Sequence, residues 1–297
     1  MTGSAQWDAA LIGILGLLIG SFLNVVIHRL PRMMERQWAA ECAQYAHEAS
    51  PPGEETATAV APAPPAEVFN LWIPASRCPA CGHKIRWYEN IPVLSYIALR
   101  ARCSGCGAHI SARYPLVELL TGALFYACAL RWGWSAHAAA WSAFSAALVA
   151  LAFIDWDTTL LPDDITLPLL WAGLLAATLR WIAVPPADAI LGAVCGYLSL
   201  WCVYWGFKLA TGKEGMGYGD FKLFAALGAW FGWQALTPII LIASVIGALA
   251  GIAMKFASRL REGKYVPFGP FLAAGGAAAM LWGPERITQT LLNALGL

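Results

Sequence analysis

Two acidic motifs interrupt strongly apolar sequence. One reads Gly-Met-Gly-Tyr-Gly-Asp at residues 215–220 and ends on Asp220. The other reads Ile-Asp-Trp-Asp at residues 154–157 and contains Asp155. Carboxylates at membrane depth are costly to bury and usually serve a function. Two carboxylates that lie close together can share one proton, and such a pair can act as general acid and general base.

The elements that must position these acids have the composition of membrane helices. The chain has 297 residues, of which 59% are hydrophobic and 12% are charged, whereas soluble domains carry about 25% charged residues. Apolar runs of about 16 to 22 residues, long enough to cross a bilayer as helices, recur from end to end. We therefore predict an all-α polytopic membrane protein with about eight transmembrane helices, approximately at residues 9–27, 115–130, 138–155, 163–183, 188–207, 221–234, 236–256 and 266–283.

The basic residues predict the orientation of these helices. Of the 19 Lys and Arg, 16 lie in the segments that follow the odd-numbered spans. Basic residues are enriched in cytoplasmic segments, so these segments are predicted to be cytoplasmic and the N-terminus to be outside. The first span lacks a basic residue before it and a cleavage site after it, so it is predicted to be a signal anchor. Asp155 then ends an inward-running span and Asp220 begins an outward-running one. Both acids are therefore expected at the cytoplasmic membrane surface.

This orientation divides the chain into three predicted parts. Residues 1–27 form the first transmembrane helix, residues 28–114 a small cytoplasmic domain, and residues 115–297 the transmembrane core. Within the cytoplasmic part, residues 46–67 are rich in Ala, Pro, Glu and Thr, a composition that predicts disorder. The net charge is only +1, and the sequence has no basic stripe, so nucleic acid is not an expected partner.

The cytoplasmic segment contains two Cys-x-x-Cys pairs, each followed by Gly. Four thiolates at this spacing are typical of a tetrahedral zinc site, and the reducing cytoplasm disfavours disulfides. A site closed by four cysteines has no open position for catalysis, so the predicted zinc is structural and folds a small domain. Exchange of one cysteine for His83 or His109 is the alternative. The predicted ligands are Cys78, Cys81, Cys103 and Cys106.

Taken together and in this order, the motifs resemble those of type IV prepilin leader peptidases, which are membrane aspartic proteases of the GxGD type. The resemblance covers almost the whole chain. Its further segments are Gly-Ser-Phe-Leu-Asn-Val-Val at 20–26, Arg-Leu-Pro at 29–31, Glu-Asn-Ile-Pro-Val-Leu-Ser-Tyr at 89–96 and Arg-Tyr-Pro-Leu-Val-Glu at 113–118.

The resemblance implies a fold of about eight helices in the bacterial inner membrane, surrounded by membrane lipid, with the active site facing the cytoplasm. It implies cleavage of prepilins and type II secretion pseudopilins after a Gly, between a short basic leader and an apolar helix. Many members of the family also methylate the new N-terminal residue with S-adenosylmethionine. Prepilin and pseudopilin substrates are therefore the expected partners.

The resemblance also assigns roles to residues of the two acidic motifs. Asp220 closes the GxGD motif and corresponds to one catalytic acid. Shorter members keep the other acid seven positions before a Pro, and Asp155 stands in that relation to Pro162, whereas Asp157 is five positions before it. Asp155 and Asp220 are thus the expected catalytic pair. An active-site loop is expected to contribute two glycines, which let substrate backbone approach, and a lysine that tunes the acid or meets lipid phosphate: Gly217, Gly219 and Lys222.

One position departs from the family pattern and bears on methylation. In the family, a Gly precedes the Arg/Lys-Cys that begins the second Cys-x-x-Cys pair, and this glycine is associated with methyl transfer. In this chain the residue at that position is Ala101. Only a backbone with positive φ would strongly reject this change, so we expect methylation to be retained. Asn90 is a candidate contact for the methyl donor or the leader, with a turn before Pro92 as the alternative. The sequence lacks a Rossmann glycine fingerprint, and S-adenosylmethionine is expected from the resemblance alone.

Other classes of function compete with this interpretation. A peptidase without methyltransferase activity is the nearest one. A transporter could use Asp155 and Asp220 as ion ligands, but it would place them near the bilayer midplane. A zinc hydrolase would need an open coordination position. Two further alternatives are an assembly factor that binds prepilins without cleaving them and a related peptidase that acts on archaeal preflagellins.

Overall fold

The structure is a computed structural model that describes residues 3–48, 69–256 and 266–295. Its regular elements within these residues are ten α-helices, two short 3₁₀ helices (Trp87–Asn90 and Trp233–Ala235) and two isolated β-bridges. The α-helices, in chain order, are α1 (Gly3–Glu48), α2 (Leu94–Ala98), α3 (Arg113–Trp132), α4 (Ala136–Thr158), α5 (Asp163–Thr178), α6 (Pro186–Thr211), α7 (Tyr218–Phe231), α8 (Leu236–Phe256), α9 (Gly269–Trp282) and α10 (Pro284–Leu295).

Each of the eight predicted spans overlaps one of these helices, which confirms the predicted all-α membrane fold. By length and composition, four helices are able to cross a membrane, and α9 is a shorter apolar helix. The number of spans stays a prediction. The four long apolar helices are Gln6–Ala46, Ala136–Thr158, Pro186–Thr211 and Trp233–Phe256.

The first helix is longer than the sequence predicted. α1 continues beyond residue 27 and through Pro31 to Glu48, although a proline removes one backbone hydrogen bond from a helix. The residues after Pro31 include many Met, Glu, Arg, Gln and Ala, which are strong helix formers. The predicted boundary at 27/28 therefore lies inside a continuous helix. Of the stretch 46–67 predicted to be disordered, the first three residues are helical and the rest lie outside the described residues.

The helices α1 and α3 form an antiparallel pair with very close backbones. A Cβ on Gly16 would lie 2.7 Å from Cβ of Phe125, and a Cβ on Gly20 would lie 2.7 Å from Cα of Glu118. Small residues at these positions are what allow two helices to approach closely inside a membrane. Because α3 runs beside the apolar part of α1, Glu118 lies at the same level as Gly20.

The helices α5, α6, α8 and α9 all contact α7, which is buried along most of its length. On one side, a Cβ on Gly192 of α6 would overlap the carbonyl of Gly228 of α7. On the other side, Trp230 Nε1 donates a hydrogen bond of 2.9 Å to the carbonyl of Leu169 in α5. These contacts fix the position of α7, and its N-terminus carries Asp220.

Candidate active site and metal site

Asp155 lies in the last turn of α4 and is almost completely buried, with 4% of its surface exposed. Its Oδ2 accepts a hydrogen bond of 2.9 Å from the backbone N–H of Gly269, the first residue of α9. The N-terminus of a helix carries a partial positive charge, so it favours a negative charge at this place. A Cβ on Gly269 would lie only 2.5 Å from Asp155 Oδ2. The position therefore requires glycine if the hydrogen bond is to keep its geometry.

Asp220 is the third residue of α7 and is also buried, with 7% of its surface exposed. Its Oδ2 accepts a hydrogen bond of 3.3 Å from the N–H of Gly217, the residue that caps the helix. Its Oδ1 is buried and has no hydrogen-bond partner among the described residues. Buried polar atoms are normally paired, so this oxygen suits a proton, a water or a substrate group.

The two acids face a common region beside Leu161. A Cβ on Gly219, next to Asp220, would lie 2.6 Å from Cβ of Leu161, and a Cβ on Gly269 would lie 3.1 Å from Cδ1 of the same residue. Helix ends that are remote in sequence thus place Gly269, the hydrogen-bond partner of Asp155, and Gly219, the neighbour of Asp220, against the same leucine. The assignment of the two acids as a catalytic pair stays a prediction.

Asp157 has a different environment from Asp155. Its Oδ1 forms an ion pair of 2.7 Å with the guanidinium of Arg113, and Arg113 also donates a hydrogen bond of 3.2 Å to the carbonyl of Phe153. The carboxyl of Asp157 is exposed and joins the start of α3 to the end of α4. This geometry favours Asp155 as the acid that belongs with Asp220.

Lys222 does not contact either acid of the pair. Its Nζ forms an ion pair with Asp163, at 2.7 Å to Oδ1 and 2.6 Å to Oδ2. The pair joins the first turns of α7 and α5. The lysine of the expected active-site loop therefore connects two helices in this structure.

A second ionic cluster holds the loop that precedes the GxGD motif. Lys208 Nζ contacts Glu214 Oε1 at 2.8 Å and the hydroxyl of the buried Tyr204 at 3.1 Å. The aromatic ring of Tyr204 packs against Tyr218, at a centroid distance of 5.3 Å. The sequence analysis missed these residues, and the i, i+4 spacing of Tyr204 and Lys208 is the one signal that could have indicated a common helix face.

Sequence reasoning also missed Gly269 and Leu161, which line the acid pair. The segment Phe-Gly-Pro at 268–270 shows a helix start, because Pro is preferred in the first turn. Nothing in the sequence links it to Asp155, which is 114 positions away.

The four predicted zinc ligands form one cluster. Their sulfur atoms all lie within 4.8 Å of one another, with Cys78 to Cys106 at 3.9 Å and Cys81 to Cys103 at 4.0 Å. Tetrahedral zinc with Zn–S bonds of about 2.3 Å needs sulfurs about 3.8 Å apart. The donor set therefore fits zinc, and neither neighbouring histidine is part of it.

The surroundings of the cluster also favour a cation. The backbone N–H groups of Cys81 and Ala80 lower the pKa of the Cys78 thiol to about 7. The backbone N–H of His83 acts in the same direction on Cys81, but the sulfur of Cys106 and its neighbours outweigh it and raise the pKa of Cys81 to about 12. Several thiolates this close repel each other, and a divalent cation would remove that conflict.

The two Cys-x-x-Cys segments, residues 78–83 and 103–108, form two zinc knuckles with the same backbone structure. In each, the N–H of the first cysteine donates to the carbonyl five residues later, at 2.9 Å in both cases. Each then turns at a glycine with positive φ, Gly82 at 73° and Gly107 at 71°. Residues with a Cβ are strained in this region of φ, which explains the Gly after each Cys pair.

A polar network connects the knuckles to each other. Glu89 accepts a hydrogen bond of 2.6 Å from Ser104 in the second knuckle and contacts His83 of the first at 3.1 Å. The N–H of Arg86 and the hydroxyl of Ser104 lower the pKa of Glu89 to about 2. Glu89 therefore stays ionised at neutral pH and holds both knuckles.

Asn90 and Ala101, the two residues expected near a methyl donor, lie in the same part of the chain as the cysteine cluster. Asn90 is exposed at the end of the 3₁₀ helix. Ala101 has a φ of 59°, and its N–H and carbonyl bond to Tyr96 and Ile110. Alanine is therefore placed in the conformation that glycine accepts freely, at a cost of about 1–2 kcal/mol. A shallow pocket of about 270 Å³ lies elsewhere, beside Arg131 and Met280.

Comparison with known proteins places the chain in a family. Residues 14–132 match the bacterial peptidase A24 N-terminal domain, and residues 142–252 match the type IV leader peptidase family. No solved structure matches the chain.

Curated relatives match over nearly the whole length. The prepilin leader peptidase/N-methyltransferase of Aeromonas salmonicida is 51% identical, over 96% of this chain and 94% of the relative. Proteins of the same name from Aeromonas hydrophila and Pseudomonas aeruginosa are 52% and 50% identical, over 96% and 95% of this chain and 93% of each relative. The chain therefore belongs to the type IV leader peptidase family.

Proposed function

We propose that the protein is a membrane aspartic peptidase that removes the leader from prepilins and pseudopilins and then methylates the new N-terminus. The observation that supports the proposal is the burial of two acids, Asp155 and Asp220, at helix ends that both pack against Leu161 through neighbouring glycines. Relatives that carry the name prepilin leader peptidase/N-methyltransferase supply the substrate class and the second activity. The peptide bond is cut after the last Gly of the leader.

The geometry suits a division of labour between the two acids. Asp155 accepts a backbone hydrogen bond at a helix N-terminus, which favours its ionised form as the general base. Asp220 has one unpaired buried oxygen, which suits a protonated acid. Asp155 takes a proton from a water, the water oxygen attacks the carbonyl carbon, and the proton of Asp220 supports the developing oxyanion. The C–N bond then breaks, and the leaving nitrogen takes the proton that Asp155 received from the water, which returns Asp155 to its ionised form.

The glycines of the GxGD segment make room for an extended substrate. Gly217 has open space around it apart from the Asp220 carboxyl at 3.7 Å. Gly219, by contrast, packs closely on Leu161 and so fixes the loop between α4 and α5. Gly217 is thus the glycine that admits substrate backbone, and Gly219 is the glycine that positions the site.

Methyl transfer belongs to the cytoplasmic zinc-knuckle domain in this proposal. S-adenosylmethionine, when bound, supplies the methyl group, and the primary amine left by cleavage receives it. Zinc held by Cys78, Cys81, Cys103 and Cys106 keeps the two knuckles together. Ala101 and Asn90 lie within this domain and are the candidate positions for donor binding.

We further propose the inner membrane as the location, with the acid pair and the zinc-knuckle domain on the cytoplasmic side. The side-dependent distribution of Lys and Arg supports this orientation. Residues 1–27 anchor the chain, residues 28–114 contribute the zinc-knuckle domain, and residues 115–297 contain the peptidase core.

Mass spectrometry of a prepilin incubated with the purified protein and S-adenosylmethionine tests both activities. Cleavage should fall by at least about 100-fold in Asp155→Asn and in Asp220→Asn, because each removes an acid–base group. Asp157→Asn is the matched control and should keep cleavage near the wild-type rate. Cleavage that survives the Asp220 change would contradict the peptidase proposal, and a mature product without an added methyl would restrict it to proteolysis.

A further inference from the structure

The turn at residues 92–97, between the two knuckles, is hydrogen-bonded to the helix α3. The N–H of Val93 donates a hydrogen bond of 2.8 Å to Glu118 Oε2, and Glu118 has only 8% of its surface exposed. Glu118 lies at the level of Gly20 in α1. The apolar run of α1 continues to residue 27, so Gly20 and the Cα of Glu118 lie about 10 Å inside the end of that run. The Val93 backbone is bonded to the carboxylate that extends from this Cα.

The backbone of this turn is unusual, and its polar groups are accounted for. Val93 has a φ of 60°, where a β-branched residue is strained. The N–H of Leu94 bonds to the carbonyl of Pro92 at 2.6 Å, and Pro92 itself has no N–H to satisfy. Irregular backbone at membrane depth is tolerated where protein groups satisfy its hydrogen bonds. The buried carboxylate of Glu118 does so for Val93.

The helix that follows the turn exposes its apolar side chains. In α2, Leu94 and Ile97 each have 65% of their surface exposed, and their i, i+3 spacing puts them on one face. The start of α3, to which this turn is bonded, likewise exposes Leu116 and Leu119. The turn bonded to Glu118 thus places the exposed apolar residues of α2 near the exposed apolar start of α3, the helix that packs beside α1.

A second apolar turn lies at the same depth. Trp72 stacks on Phe22 in the apolar run of α1, at a centroid distance of 5.6 Å, although 77% of its surface is exposed. The guanidinium of Arg29, itself buried, donates to the carbonyls of Asn70, Leu71 and Pro74 at 3.0, 3.4 and 2.7 Å. These bonds satisfy three carbonyls of the turn, while Leu71 packs against the core and Trp72 and Ile73 stay exposed.

We propose that the zinc-knuckle domain is seated in one leaflet of the membrane by these two turns, residues 71–74 and 92–97. Phospholipid is the partner, and it contacts Trp72, Leu94 and Ile97. Lipid is favoured over a soluble partner because both turns lie beside the apolar run of α1 and continue the lipid-facing surface of α3. The seat keeps the zinc-knuckle domain at the surface where a substrate N-terminus would leave the membrane, and it does not depend on the proposed activity.

Photo-cross-linking to lipid tests the seat directly. p-Benzoylphenylalanine is introduced singly at Leu94, Ile97, Lys84 or Leu241 in the full chain, which is placed in nanodiscs of phosphatidylethanolamine and phosphatidylglycerol and irradiated. Leu241 is exposed on the apolar helix α8 and is the positive control; Lys84 is exposed on the first knuckle and is the negative control. Intact mass spectrometry should show one-phospholipid adducts at positions 94, 97 and 241, at least about tenfold above position 84. Yields at 94 and 97 that match position 84, while 241 reacts, would overturn the proposal.

A pair of substitutions tests the role of Glu118 in the seat. Glu118→Gln keeps an acceptor for the Val93 N–H, whereas Glu118→Leu removes it and leaves that donor unpaired. The adduct at position 97 should persist in the Gln variant and fall at least about fivefold in the Leu variant. The adduct at position 241 and the zinc content report whether each variant is folded. Equal adduct yields in both folded variants would show that Glu118 does not hold the turn in the membrane. If the Leu variant does not fold, loss of the adduct in the folded Gln variant would lead to the same conclusion.

Discussion

Asp155 and Asp220 are buried between long packed helices, whereas the four cysteines lie in a small domain of short backbone turns. Each acid takes one backbone hydrogen bond from a helix start, and glycines bring the surrounding helices close. The cysteines are ordered by local hydrogen bonds within each knuckle and by the Glu89 network. The acids therefore depend on tertiary packing, whereas the cysteine cluster depends on local backbone turns and has a geometry that could hold a metal ion.

Loss of the metal should have the largest effect and should be confined to the knuckles. Cys103→Ser should lower bound zinc by at least about tenfold and unfold residues 76–110, because structural zinc supplies roughly 10 kcal/mol to small domains. Elemental analysis and limited proteolysis measure the two effects. Cys42→Ser, at an exposed cysteine outside the cluster, is the control. Full zinc occupancy in the Cys103 variant would contradict the four-cysteine site.

Gly269→Ala, which adds one methyl group next to Asp155, should have the next largest effect, a loss of cleavage activity. In Gly269→Ala the new Cβ would lie 2.5 Å from Asp155 Oδ2, and displacing a catalytic group by about 1 Å costs about 100-fold in rate. Zinc content should not change. Gly251→Ala is the matched control, since its Cβ would meet nothing within 4 Å. Steady-state cleavage of a prepilin measures the difference, and wild-type activity in the Gly269 variant would exclude this residue from the site.

Removal of strain in the second knuckle should have a moderate and opposite effect. Ala101 has a φ of 59°, so Ala101→Gly should stabilise the domain by about 1 kcal/mol. Ala112→Gly, at a residue with a φ of −63°, should give no such gain. The denaturant dependence of proteolysis in the knuckles reports the change. If the family glycine matters for methyl transfer, methylation should rise in the Ala101 variant while cleavage stays constant.

The ion pair between Lys222 and Asp163 should matter least. Both side chains are partly exposed, and such pairs contribute about 0–1 kcal/mol. Lys222→Met should therefore keep cleavage within about threefold of wild type, and Asp163→Asn should behave in the same way. Loss of activity in the lysine variant alone would show that Lys222 acts on the acid pair rather than on helix packing.

Much of this molecule could be predicted from sequence because its signals are local. Apolar runs of membrane length predicted the helices, and the spacing of the Cys-x-x-Cys pairs predicted the four cysteines that cluster. The extension of α1 beyond residue 27 was not predicted, because the basic residues and Pro31 indicated an end to the span. They end the apolar surface, but the helix continues.

The sequence by itself determined which residue types carry the chemistry: two acids in apolar surroundings and four cysteines at metal spacing. Only the tertiary structure decided that Asp157 pairs with Arg113, that Lys222 pairs with Asp163, and that Gly269 donates to Asp155. It also decided that Ala101 occupies a conformation suited to glycine. These facts depend on which helix ends meet and on the local φ, and such long-range packing leaves no periodic pattern in the residues that take part in it.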